Sequence, residues 1–110
     1  MTEITFYKTK TGAYRSFLCN GHAGYADHGH DIVCASISAL VINAINSMDE
    51  IVGEPMEIET DERQGRIRCV FQNSPIHKDS ELLMNSLVLG LTQIAKQYGR
   101  KHCKLKFEEV

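Results

Sequence analysis

Tryptophan is absent from the 110 residues, proline occurs only twice, and the four cysteines include no C-x-x-C pair. Scarce proline and a 43% apolar composition exclude a disordered chain and favour one compact domain over residues 1–110. Cys19, Cys34, Cys69 and Cys103 are widely spread, which suits thiols rather than a disulfide frame. Positive charge is not in excess either. Twelve Lys and Arg against fourteen Asp and Glu leave a net charge of −2, whereas nucleic-acid binding is driven by counterion release at a basic face. Arg100, Lys101, Lys104 and Lys106 are the nearest approach to such a face, and Glu108 and Glu109 follow at once. No nucleic-acid partner is expected. Long apolar runs are missing too: the stretch from Ile37 to Ile45 is broken by Ser38 and Asn43 and is short for a bilayer. The opening MTEITFYKTK has neither a signal-peptide core nor an Arg-rich transit pattern. The expectation is a cytoplasmic chain with no membrane partner.

What is present is alternation. Ile4 and Phe6 share one face of a predicted strand over residues 2–9, with Thr5 and Tyr7 on the other. Thr11-Gly12 supplies a turn, and residues 14–20 alternate again through Phe17 and Cys19, completing a hairpin. Between Gly21 and His30 the pattern dissolves into a glycine-punctuated loop with three histidines. Residues 32–51 then read as a helix whose apolar positions cover more than one stripe, so that burial on most sides is expected. A second hairpin follows, with Met56, Ile58 and Thr60 alternating before a Gln64-Gly65 turn and Ile67, Cys69 and Phe71 alternating after it. Asp79 or Ser80 can cap a second helix, Leu83, Leu87, Leu91, Ile94 and Tyr98 recur at its spacing, and Gly99 ends it. Cys103, Leu105 and Phe107 form a last strand. The order ββαββαβ predicts an α+β domain, two helices packed on a mostly antiparallel sheet.

Chemistry-bearing residues crowd between Gly21 and Cys34. Cys19, Cys69 and Cys103 alternate with core residues and read as small hydrophobes. Cys34 differs. With Asp31 as N-cap it falls in the first helical turn, where free amides and the positive end of the helix dipole favour a thiolate and could hold an oxyanion. The alternative is a small residue where helix meets sheet. His22, just past the second strand, is placed to serve Cys34 as general base, or else is a surface histidine of the loop. Asp31 can cap the helix or orient the imidazole. Ser38, one turn beyond Cys34, can bond within the site or to a helix carbonyl. The competing chemistry is zinc, because Asp27-His28-Gly29-His30-Asp31 is similar to part of an H-x-H-x-D ligand run. No second ligand cluster follows it, and His77 and His102 stand alone, so neither a metal nor another cofactor is expected.

The run GHAGYADHGHDIVCASISAL, residues 21–40, resembles the signature of the ribosomal-processing cysteine protease family. The matching positions are Gly21-His22-Ala23, Gly29, Asp31-Ile32-Val33-Cys34-Ala35 and Ser38. Ser36 and His30 depart from the pattern. The resemblance implies a Cys34–His22 dyad with Asp31 and Ser38 in support, and a lid over the substrate built on Gly21, Gly24, Tyr25 and Gly29. It further implies a homodimer. The implied substrate is the N-terminal extension of large-subunit ribosomal protein twenty-seven, cut near paired aromatic residues. A non-enzymatic ribosome-associated or protein-binding module is the alternative from a different class, since a small α+β layout does not dictate catalysis.

Overall fold

The computed structural model describes residues 1–24, 26–27 and 31–110. Strands β1 (Thr2–Lys8) and β2 (Tyr14–Asn20) pair antiparallel, placing Ile4 opposite Cys19 and Phe6 opposite Phe17. Thr9 closes the connection: its carbonyl accepts from the Gly12 amide and its hydroxyl from that of Ala13. The second hairpin, β3 (Met56–Asp61) and β4 (Arg66–Phe71), joins through β4 to β2. The last strand, β5 (Cys103–Glu109), lies parallel beside β1. The sheet order is β3-β4-β2-β1-β5, with three antiparallel pairings and one parallel. The chain is therefore α+β with ββαββαβ order, as its alternation predicts.

Opposed residues in a sheet share a face, and here one face carries the core. Ile4, Phe6, Phe17 and Cys69 on it are wholly buried. Phe6 anchors the cluster, stacked on Phe107 at 5.4 Å and set against Phe17 at 5.8 Å between ring centroids. Cys19, Cys69 and Cys103 are buried thiols of this core, as alternation predicts.

Helix α1 (Ile32–Ser47) runs on into a π-helical turn, Met48–Val52, and stops at Gly53, whose φ of 78° is a left-handed C-terminal geometry. By length and hydropathy the segment from Ile32 to Val52 would suffice to cross a bilayer. Core packing accounts for one side of it, where Val33, Ile37, Val41 and Met48 are buried. Burial on most sides is not what is found. One stripe is covered, while Ile32, Ile42 and Ile51 are exposed.

Helix α2 (Lys78–Tyr98) begins earlier than its side chains suggest, with His77 in the N-cap position and no cap from its own side chain. The cap comes from elsewhere in the chain: Glu54 Oε1, itself buried, accepts from the His77 amide at 2.9 Å. Asp79 and Ser80 thus fall inside the helix, and Ser80 is fully buried. The two helices meet where Leu40 sits against Gly90, at which an added Cβ would come within 2.9 Å of Leu40 Cδ1. Tyr14 ties the sheet to α2 through its hydroxyl, 2.7 Å from Asn85 Oδ1.

Candidate active site

Edge strand β3 turns Ile58 and Thr60 to the same face as Cys69 and Ile67, but that end of the sheet is not covered. The gap between it and the flank of α1 is a cleft of about 850 Å³. Ile42 and Ile45 of α1 and Ile58 and Ile67 of the sheet make it largely apolar. The exposed Ile42 and Ile58 find their role here, as walls of the cleft rather than as surplus surface apolarity.

Cys34 and His22 line this same cleft. Asp31 caps α1: its Oδ1 accepts from the Val33 and Cys34 amides, both at 3.0 Å, and its carbonyl accepts from Ala35 at 3.0 Å. Cys34 is accordingly the third helical residue, as expected. Two of the amides that the sequence offered for an oxyanion, those of Val33 and Cys34, are thus directed at Asp31. A different amide reaches the sulfur. Ala23 N–H, from the turn after β2, donates to Cys34 Sγ at 2.9 Å.

The electrostatics of the sulfur are mixed. Burial pushes the Cys34 thiol above its ordinary value, the Ala23 N–H opposes this, the neighbouring Asp31 carboxylate raises it further, and a Thr2 side-chain hydrogen bond lowers it. The balance is upward. Burial and the Asp31 carboxylate thus work against the helix dipole and the Ala23 amide at this sulfur. Burial pushes Cys19 and Cys69 up to about 12 and raises Cys103 as well; with those three buried, Cys34, half-exposed, is the accessible thiol.

His22 is exposed at the cleft mouth, and its Nε2 lies 3.2 Å from the Arg63 carbonyl. A carbonyl only accepts, so Nε2 carries the proton and, in the neutral ring, Nδ1 is the basic nitrogen. The Arg63 carbonyl is presented by the β3–β4 turn, which Asp61 shapes by accepting from the Arg63 and Gln64 amides at 3.1 and 3.3 Å. Gly65 in that turn has φ +60°, and a Cβ there would meet Gly21 O at 2.7 Å and His22 Cε1 at 3.0 Å. The hairpin tip therefore presses directly on the Gly21–His22 turn. The sequence marked Gly65 as a turn residue but held no sign of this contact, which is made by backbone.

Gly21 also requires the absence of a side chain, because at φ +93° its Cβ would fall 2.5 Å from the Met1 carbonyl. Gly21, Gly24 and Ser38 line the cleft. Ser38 is exposed there; the serine that bonds back to a helix carbonyl is Ser36, at 2.7 Å from Ile32 O. Tyr25 and Gly29, expected in the lid, and His28 and His30, considered as metal ligands, lie outside the described residues.

The model of the family described as cysteine protease Prp matches residues 1–103. Ribosomal processing cysteine protease Prp of Bacillus subtilis strain 168 is 28% identical over 101 residues, covering 89% of this chain and 90% of the relative. The Staphylococcus aureus Mu50 protein of the same name is 29% identical over 101 residues, covering 90% and 92%. Among solved structures, S. aureus Prp with a covalently linked product peptide superposes with a TM-score of 0.91 at 22% identity, covering 98% of this chain and 100% of that one. A Streptococcus mutans protein gives 0.84 at 26% identity, covering 100% and 96%. With its thiol and imidazole on one cleft and a family match over nearly its whole length, this chain belongs to the cysteine protease Prp family.

Proposed function

We propose that Cys34 is the nucleophile and His22 the general base of a thiol endopeptidase that trims the N-terminal extension from a large-subunit ribosomal protein. The observation that carries this reading is the setting of one sulfur. Cys34 is the accessible thiol of the chain, at a helix start, in a cleft shared with His22, and bonded by the residue next to that histidine. The names of the B. subtilis and S. aureus relatives support ribosomal processing, and the peptide covalently linked to the S. aureus structure fits an acyl-enzyme route.

In this reading the bond is cut through a covalent acyl-enzyme. His22 Nδ1 takes the Cys34 proton as Sγ attacks the scissile carbonyl carbon, forming the C–S bond and a tetrahedral oxyanion. Ala23 N–H, which donates to the sulfur in the free chain, serves as an oxyanion donor. Collapse of the intermediate breaks the C–N bond, and the imidazolium gives its proton to the leaving amine. Water, deprotonated by His22, then attacks the thioester; the carboxylate product leaves and the thiol is restored. The Arg63 carbonyl orients the ring and stabilises its charged form. Asp31 acts as the helix cap that places Cys34, and Ser38 lies beside the scissile region. The isoleucine-lined cleft suits the aromatic side chains of the implied cleavage motif. The enzyme acts in the cytoplasm as a homodimer.

Incubation of the chain with an extended ribosomal-protein precursor, followed by mass analysis, tests the reading. Wild type should remove the extension at one bond, and Cys34→Ala and His22→Ala should leave it intact. A precursor unchanged by folded wild type would overturn the assignment.

A further inference from the structure

The amide that meets Cys34 is held from behind by a residue outside the motif of residues 21–40. His102 immediately precedes β5, half-buried, and its Nδ1 lies 3.0 Å from the Ala23 carbonyl. Because that carbonyl only accepts, Nδ1 is the protonated nitrogen. His102 is itself fixed along its backbone: its amide donates to Gly99 O at 3.0 Å, and its carbonyl accepts from the Thr2 amide at 3.0 Å. The single proton of the Thr2 hydroxyl is shared between Gly21 O, 3.2 Å away, and the Cys34 sulfur. The starts of the parallel strands β1 and β5 thus clamp the turn that carries His22, and Ala23 is buried between them and the sulfur. Its carbonyl end is bound by His102 and its N–H end is aimed at Sγ.

We propose that His102 is a positioning residue for the cleavage reaction, holding Ala23 so that its N–H is directed at the Cys34 sulfur and at the oxyanion formed there. The proposal rests on Cys34 being the nucleophile. It separates His102 from the site's chemistry: the ring neither touches substrate nor moves a proton, and it acts through one peptide residue. Without the anchor, residues 22–24 gain freedom, the amide no longer stabilises sulfur charge, and turnover falls. Substrate binding, which depends on the isoleucine walls contributed by α1, β3 and β4, should change little.

His102→Leu removes the donor at similar volume, and His102→Asn retains an N–H donor near the Nδ1 position. For His102→Leu we expect kcat to fall on the order of ten- to a hundredfold with KM nearly unchanged. The pH profile of Cys34 alkylation should move to higher pH in the same variant, and His102→Asn should recover both. A second readout needs no variant. The 15N shifts of the His102 ring in wild type, at a pH where it is neutral, should report the Nδ1–H tautomer. An Nε2–H tautomer would overturn the proposal, and so would wild-type kcat and alkylation profile in His102→Leu. Should His102→Leu not fold, the tautomer and His102→Asn decide. Activity retained in Cys34→Ala would instead remove the reading beneath it, an outcome distinct from either.

Discussion

A nucleophilic cysteine has to give up its proton, and at position 34 the surroundings pull in both directions. Burial and the Asp31 carboxylate favour the thiol, while the Ala23 amide and Thr2 favour the anion. The sign of each contribution makes a test. Asp31→Asn keeps an oxygen for the Val33 and Cys34 amides but removes the negative charge, so the alkylation profile of Cys34 should shift to lower pH. Asp31→Ala also removes the cap and should lower stability by about 0.5–2 kcal/mol, read as a reduced Tm. An unchanged Tm in the alanine variant would contradict the cap. At this scale the sequence was informative for side chains and silent for backbone. Asp31, Cys34 and His22 could be named because their types and spacing carry chemistry. The Ala23 amide and the Arg63 carbonyl could not, because every residue has an amide and a carbonyl and only the fold brings these two to the sulfur and the imidazole.

Among elements, the β3–β4 hairpin contributes most beyond its place in the sheet. Its tip orients His22 through Arg63 and leaves no room for a Cβ at Gly65. Gly65→Ala should therefore lower kcat through displaced His22, in addition to a strain cost of roughly 1–3 kcal/mol for its positive φ. Full activity in that variant would show that the hairpin does not position the base. Strand pairs and helices were readable because alternation and 3.6-residue periodicity are local properties. The start of α2 was not, since Glu54 of the segment before β3 supplies the cap that Asp79 or Ser80 seemed to offer. The wide apolar surface of α1 was readable as well, but sequence cannot say what each part of it faces. One stripe meets the core, whereas Ile42, outside it, lines the cleft.

For the whole molecule, both helices pack on one face of a five-stranded sheet yet leave the β3 end open, and this incomplete coverage creates the cleft. The core must hold that geometry. Phe6 lies at its centre against Phe17 and Phe107, so Phe6→Ala should cost about 3–5 kcal/mol, measured by denaturant unfolding. A charged residue in the cleft wall, Ile42→Glu, should raise KM for an aromatic-containing peptide without lowering Tm, because Ile42 is already exposed. The central claim is that the bond is cut by covalent attack of one sulfur, and an acid-quenched reaction with extended precursor tests it most directly. Intact-mass analysis should then show the enzyme carrying the acyl fragment of the substrate, mapped by peptide digestion to Cys34. Product release at full rate from Cys34→Ala, or an adduct mapped to any other residue, would contradict the account.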